Sequence, residues 1–252
     1  NKIMQAVILL AGYGSRLARN DIPHKSLLPF DGETLLSRSL IFLKALDIDR
    51  VHLVTGHNKQ VVRQYVSSLD LGLDCNFIEN DVYRTTGNTL SMVMGLRCCH
   101  GDVIILDGDV LYPQSAFNNF VKNSKPTSFA LVPSDIDNTE STKVLIRSDD
   151  KIEAFVTKRD LTREEKLDFK FGGEAIGFFK LSAEDSKKFI EHYDSFESEY
   201  IKVLWEIPLT KFAKSVDLST WFITGGPACF EIDTQEDYEQ ALSSFVANKK
   251  NY

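Results

Sequence analysis

The parts of this 252-residue sequence that can do chemistry are a glycine loop, two separated pairs of carboxylates and a few basic residues. Gly12 and Gly14 follow the apolar run Ala6-Val7-Ile8-Leu9-Leu10. Glycines at the carboxyl end of a buried strand let backbone N–H groups approach a phosphate, and the next helix adds its positive end. The loop Leu10-Ala11-Gly12-Tyr13-Gly14-Ser15-Arg16-Leu17 is not a dinucleotide fingerprint, because Leu17 stands where GxGxxG needs its third glycine. It is not a P-loop either, since GxxxxGK followed by Ser or Thr is absent from the sequence. Arg16 offers a forked cation for β- and γ-phosphate oxygens, and Lys25 a point charge from the same connection. Two cations between a buried strand and a helix suit a triphosphate.

Asp107 and Asp109 close the apolar run Val103-Ile104-Ile105-Leu106, and Glu231 and Asp233 close Cys229 to Ile232. Carboxylates at strand ends suit Mg²⁺, which takes one or two of them together with phosphate oxygens and water. An Asp-Gly turn accounts for Asp107-Gly108 but gives no reason for Asp109, and the later pair alone could cap a helix starting near Thr234. The five histidines show no metal spacing. His24, on the phosphate loop, could touch a phosphate, and His57 also falls at the ligand-facing edge; surface or capping roles suit both better, while His52, His100 and His192 read as structural.

The elements that must position these groups follow from apolar periodicity. Ala6–Leu10, Val51–Thr55, Asn76–Glu79 and Val103–Leu106 read as strands. They alternate with helical patterns over Glu33–Leu46, Asn58–Leu69 and Thr89–Cys98, with Asn58 capping the second and Asn88 or Thr89 the third. That alternation is the mark of βαβ units. After Pro126 strands follow without intervening helices, at Ser128–Val132, Lys143–Ile146, Ile152–Val156 and Ala175–Leu181. Then come helices Glu184–Tyr193 and Tyr200–Ala213, strands Trp221–Thr224 and Cys229–Ile232, and a helix Gln235–Val246. The expected fold is α/β, a Rossmann-like mixed and mostly parallel sheet flanked by helices, with a smaller antiparallel acceptor-binding extension. Without repeats or a linker, residues 1–252 read as one domain, 1–125 mainly nucleotide-binding and 126–252 mainly acceptor-binding.

A net charge of -7 and a pI near 5.3 argue against nucleic acid or an anionic membrane as the main partner, so any anion site is local. The four cysteines show neither CxxC spacing nor a disulfide framework, and reduced thiols fit a cytoplasmic protein. No apolar run approaches the roughly 20 residues of a membrane span. The chain opens on Asn1, which fits processing or a piece of something longer; a homodimer or a fused partner domain is compatible with the sequence, which decides neither.

Leu9-Leu10-Ala11-Gly12-Tyr13-Gly14-Ser15-Arg16-Leu17 with Pro23-His24-Lys25 resembles the LxAGxGxRL and Pro-Lys signature of the nucleoside-triphosphate transferase family of sugar and alcohol phosphate nucleotidyltransferases. Leu106-Asp107-Gly108-Asp109 resembles its D-x-D, and Phe230-Glu231-Ile232-Asp233-Thr234 with Asp237-Tyr238 its late metal aspartate and closing helix. Within the family the chain is similar to cytidylyltransferases acting on choline phosphate, 2-aminoethylphosphonate or inositol phosphate, through the Tyr83 to Ser91 segment with Thr86-Gly87-Asn88-Thr89, Lys158-Arg159-Asp160 and Leu204-Trp205-Glu206. The resemblance implies CTP as donor, cytosine held by backbone near Leu10-Ala11 and by Gly87-Asn88-Thr89, and Mg²⁺ on Asp109 and Asp233, with Glu231 beside them. Lys25, Arg16 and Lys158 would be catalytic; Gly12, Tyr13, Gly14, Ser15 and Asp107 would join the nucleotide site; Lys158, Trp205 and Glu206 would meet the acceptor. The sequence departs from the pattern at His24, which separates Pro23 from Lys25, and in lacking a tryptophan near Glu140–Lys143 for a quaternary ammonium. A sugar-1-phosphate nucleotidyltransferase using UTP or dTTP and a non-catalytic nucleotide-binding module are the alternatives. A dehydrogenase is disfavoured by the missing third glycine.

Overall fold

A computed structural model describes residues 3–17 and 19–252, the side chain of Ser15 excepted. The chain begins with β1 (Met4–Leu10), leaves it through the glycine loop, and makes a hairpin of β2 (Pro29–Phe30) and β3 (Glu33–Thr34) before α1 (Leu35–Ala45). β4 (Arg50–Thr55), α2 (Lys59–Ser68), β5 (Asp74–Glu79), α3 (Asn88–Leu96) and β6 (Asp102–Asp107) complete the βαβ half. β1 lies between β4 and β6, parallel to both, with Leu10 opposite Thr55 and Leu9 opposite Asp107. That register brings the glycine loop and the carboxylates after β6 to one sheet edge, where ligands of open α/β sheets bind.

Beyond β6 come β7 (Val110–Leu111), α4 (Gln114–Asn123), β8 (Ser128–Val132), β9 (Lys143–Ile146) and β10 (Ile152–Val156). They are followed by α5 (Arg163–Asp168), β11 (Lys170–Leu181), α6 (Ala183–Ser195), α7 (Glu197–Tyr200), α8 (Glu206–Phe212), β12 (Ser219–Phe222), β13 (Phe230–Glu231) and α9 (Gln235–Ala247). The main sheet runs β10-β9-β11-β6-β1-β4-β5, with β8 and β12 joining through β11. β11 is antiparallel to β6, β8 and β9, so one strand changes the sheet from parallel to antiparallel. The mixed sheet with flanking helices and an antiparallel extension is the architecture the periodicity implies.

β1 shows why both faces are covered. Ala6, Ile8 and Leu10 enter a core with Leu36, Leu40 and Leu43 of α1, whereas Val7 enters one with Met92, Val93 and Leu96 of α3. Successive strand residues point to opposite faces, so a strand buried on both must be apolar throughout. Each fully buried aliphatic or aromatic side chain contributes roughly 1.5–3 kcal/mol.

Several boundaries differ from expectation for local reasons. α1 starts at Leu35 because Thr34 and Ser37 form a reciprocal capping box, leaving Glu33 in the hairpin. Asn58 sits before α2 in a left-handed conformation, φ 50°, and its side chain makes no cap; the amide donates to the Pro23 carbonyl instead. Neither Asn88 nor Thr89 caps α3, whose N-cap residue is Gly87. α5 was not expected from the sequence; Thr162 and Glu165 form its capping box, but it buries no residue and so carries no apolar period. The helix expected over Tyr200–Ala213 is interrupted between α7 and α8. No helix among the described residues is long and apolar enough to cross a membrane.

Candidate active site

The floor of the site is the end of β1, whose carbonyls are already engaged by neighbouring segments. Leu9 O accepts from Gly108 N–H at 3.2 Å, Ala11 O from His57 N–H at 3.2 Å, and Leu10 O faces His24 Nε2 at 2.8 Å. Above this floor lies a cleft of about 220 Å³, lined among others by Ala11, Gly12, Lys25, Asn88, Asp107 and Asp109. Leu10, Gly14, Gly87 and Glu231 border the same cleft.

Lys25 starts a short 3₁₀ turn, Lys25–Leu27, and its Nζ lies between Asp109 Oδ2 at 3.0 Å and Asp233 Oδ1 at 2.9 Å. Arg16, largely exposed, reaches Asp233 Oδ2 at 3.1 Å. These contacts join the glycine loop, the turn after β6 and the segment after β13. β13 is held there by pairing with β7, which puts Phe230 opposite Leu111 and Glu231 opposite Val110. Two carboxylate pairs more than 120 residues apart thus become one cluster, with oxygens of Asp109, Glu231 and Asp233 within 4.8 Å of one another.

Electrostatics in the cluster are strongly mutual. Burial pushes the Asp107 carboxyl well above the usual range, and the Asp109 and Glu206 carboxylates push the same way. Glu231 stands at the exposed rim, but protein atoms crowd its carboxyl. That loss of hydration, with the charges of Asp109, Asp233 and Asp107, raises it as well. Burial disfavours the Lys25 ammonium, yet Asp109 and Asp233 outweigh it and raise its pKa. Crowded carboxylates around one lysine are a hard-oxygen donor set, which is what Mg²⁺ binding requires, so Asp109, Asp233 and Glu231 fit a divalent ion.

Other expected residues are placed differently. Thr89 is fully buried and donates to Val203 O at 2.8 Å, so it faces the 201–205 segment rather than the cleft. Asn88 lines the cleft, but its Oδ1 accepts from Trp205 N–H at 2.9 Å. Tyr13 lies outside the cleft against His57, ring centroids 4.5 Å apart, with the Arg84 guanidinium 5.0 Å above its ring. Trp205 does not stand as an acceptor contact. It is 5% exposed and packed among Phe129, Phe155 and Phe179, leaving no face for a ligand. The side chain of Ser15 lies outside the described part of the structure.

Glu206 is also buried, at 7% exposure; its Oε1 accepts from Thr142 Oγ1 at 3.1 Å and its Oε2 has no partner. Burial raises its pKa, opposed in part by the Lys158 charge. Lys158 is exposed and adopts φ 58°, a left-handed conformation unfavourable for a residue with a Cβ.

The sequence reading missed Asn80 and gave no site role to Tyr83 and Ser91, the ends of the segment it singled out; all three lie on the cleft wall. Asn80 is 1% exposed, donates to Ser91 Oγ at 2.9 Å and accepts from Val82 N–H at 3.1 Å. The available signal was a polar residue directly ending β5, at the same sheet edge as the glycine loop.

The strand-end loop, the cation and the carboxylate cluster define a nucleotide-handling α/β fold of the transferase type. The chain belongs to the MobA-like NTP transferase domain family, whose profile matches residues 6–165. It is 29% identical over 165 residues to the bifunctional protein GlmU of Pseudomonas fluorescens, covering 65% of this chain and 35% of that one. It is 32% identical over 110 residues to the CMP-5'-(3-aminopropyl)phosphonate synthase of Streptomyces rubellomurinus, covering 43% and 18%. It is 34% identical over 125 residues to the choline-phosphate cytidylyltransferase of Haemophilus influenzae, covering 48% and 51%. The chain therefore matches about half or less of the length of these curated relatives. Among solved structures, the CTP:phosphocholine cytidylyltransferase of Streptococcus pneumoniae shares the fold, with TM-score 0.73 and 19% identity over 95% of this chain and 98% of that one.

Proposed function

We propose that the protein is a cytidylyltransferase that transfers CMP from CTP to a small phosphate or phosphonate acceptor of the 2-aminoethylphosphonate or phosphocholine type, releasing pyrophosphate. The observation that carries this reading is the Lys25 ammonium, set between Asp109 and Asp233 at the mouth of the β1 cleft. The similarity to an aminopropylphosphonate CMP synthase and a choline-phosphate cytidylyltransferase supports CTP and an amine-bearing acceptor.

The acceptor oxygen is anionic at neutral pH and needs no general base. It attacks the α-phosphorus, the new P–O bond forms, and the bond to the β-phosphate oxygen breaks as pyrophosphate leaves. Catalysis is then positioning and charge neutralisation. Lys25 meets the charge developing on the α-phosphate, Arg16 meets the departing pyrophosphate, and the backbone of Leu10, Ala11, Gly12 and Gly14 with the Gly87-Asn88 turn holds the nucleotide. Asp109, Asp233 and Glu231 would hold Mg²⁺, which neutralises phosphate oxygens when bound. Lys158 takes the acceptor's anionic group; strain in a side-chain-bearing residue fits a position kept for binding. The unpartnered Glu206 Oε2 supports a cationic amine in the same corner.

Pyrophosphate release should be measured with each of four triphosphates against 2-aminoethylphosphonate, phosphocholine, inositol phosphate and glucose-1-phosphate, with Mg²⁺ present. The expected result is release with CTP and an amine-bearing acceptor. Release only with UTP or dTTP and a sugar phosphate would replace this reading with the sugar one, and no release with any pair would reject a transferase. Asp109→Ala should lose at least about a hundredfold in rate with the fold retained, in line with about 3 kcal/mol for one lost transition-state contact.

A further inference from the structure

His24 interrupts the Pro-Lys pattern, and its hydrogen bonds show what it does there. The imidazole is 7% exposed. Its Nδ1 faces the backbone N–H of Ser26 at 3.1 Å and Ser26 Oγ at 2.8 Å, and its Nε2 faces the carbonyl of Leu10 at 2.8 Å. A backbone N–H can only donate and a carbonyl can only accept, so the partners decide the tautomer. Nδ1 must be bare, and Nε2 must carry the proton and donate to Leu10. One ring therefore caps the 3₁₀ turn that begins with Lys25 and ties that turn to the last residue of β1.

Between those two anchors stands Lys25, whose own contacts run to Asp109 and Asp233. Gly14 lets the loop pack against the Lys25 stem, since a Cβ there would lie 3.0 Å from Lys25 Cγ. The imidazole ties the Lys25 turn directly to the β1 floor, accepting from Ser26 N–H and donating to Leu10 O. We infer that His24 is a positioning residue, fixing the Lys25 ammonium relative to the β1 cleft by bridging Leu10 O and Ser26 N. The inference rests on the proposed role of Lys25.

Three substitutions separate the two ends of the bridge. His24→Asn keeps an acceptor near Ser26 N but is too short for Leu10, His24→Gln keeps a donor able to reach Leu10, and His24→Ala removes both. The first readout is the rate at which an amine-reactive reagent labels Lys25, followed by peptide mass spectrometry, which does not depend on turnover. Labelling should rise about tenfold in His24→Ala and stay within about twofold in His24→Gln, as expected for a group released from and then returned to a fixed geometry. The second is the split of kinetic constants with CTP: kcat should fall about tenfold or more in His24→Ala with KM for CTP within about twofold, and His24→Gln should recover most of it. If His24→Ala does not fold, the Asn and Gln pair decides, with Asn the more strongly labelled. Unchanged Lys25 labelling overturns the inference whatever the kinetics show. Inactivity of the unaltered protein rejects the function while labelling still decides the inference.

Discussion

Replacing Gly87 with alanine places a methyl group where only backbone is available to yield. The added Cβ would lie 2.1 Å from Val203 O, 2.5 Å from Val203 C and 2.9 Å from Val203 N. No side-chain rotation relieves contacts with backbone, so the Gly87 turn and the 201–205 segment must separate by about 1 Å to reach ordinary carbon–oxygen contact distances. Three hydrogen bonds span that seam: Gly87 N–H to Ile201 O at 3.0 Å, Thr89 Oγ1 to Val203 O at 2.8 Å, and Trp205 N–H to Asn88 Oδ1 at 2.9 Å. At about 1 kcal/mol net each, disrupting two or three of them costs about 2–3 kcal/mol. In a chain of this length that lowers Tm by roughly 4–10 °C. Gly87 and Asn88 line the cleft, so the same displacement should raise KM for CTP several-fold, whereas Gly32→Ala, strained at φ 81° but outside the cleft and with nothing within 4 Å of its Cβ, should lower Tm and leave KM unchanged. Calorimetric Tm and steady-state KM provide the assay. A Gly87→Ala protein with unaltered Tm and KM would show that the seam is not rigid and refute the reasoning.

Trp205→Ala should destabilise the fold by about 3–5 kcal/mol, because it empties a core site between Phe129, Phe155 and Phe179. A change confined to acceptor KM, with denaturant unfolding unaffected, would contradict the core assignment. The stability gap between wild type and His24→Asn should shrink as pH falls. Burial foremost, with the charges of His57 and Lys25, lowers the His24 pKa to about 4, while the Leu10 carbonyl opposes the shift. The unfolded chain, with histidine near 6.5, then binds more protons than the folded one between these values. Native stability due to His24 is therefore complete above about pH 6.5 and lost by about 3 kcal/mol on the way to about pH 4. Urea midpoints for both proteins across that range test it, and a gap independent of pH would show that His24 is not held neutral.

The nucleotide half was legible because its signals are local. A run of buried aliphatics followed by glycines announces both β1 and its loop, and Asp107-Gly108-Asp109 announces the end of β6. The meeting of Asp109 with Asp233 was readable as a need for a second carboxylate pair. Its cause, the short β7–β13 ladder of Val110–Leu111 with Phe230–Glu231, is too brief to leave a sequence period. The second half misled where a residue type had two uses. Trp205 follows a recognisable pattern, but side-chain direction at the start of α8 sends the indole into the core and leaves Glu206 near the site. His24 read as a departure from a motif. Its role emerged only when the turn brought Leu10 and Ser26 to its two nitrogens, a contact that one-dimensional spacing does not encode.

The charge balance explains why the site needs its cations so closely placed. Asp107, Asp109, Glu206, Glu231 and Asp233 bring five carboxyls to one region, against Arg16, Lys25 and Lys158. Burial foremost raises the Asp107 and Glu231 pKa values, and the neighbouring carboxylates add to it. A free triphosphate entering such a region is repelled by the carboxylates and attracted by Lys25 and Arg16 over the same few ångströms, so the net field depends on where the ammonium stands. Moving Lys25 away from Asp109 and Asp233 would expose their charges to the phosphates as well as withdraw its own. One displaced lysine therefore changes two opposing terms in the same direction, and the bridge from His24 to Leu10 and Ser26 fixes the Lys25 turn on which both depend.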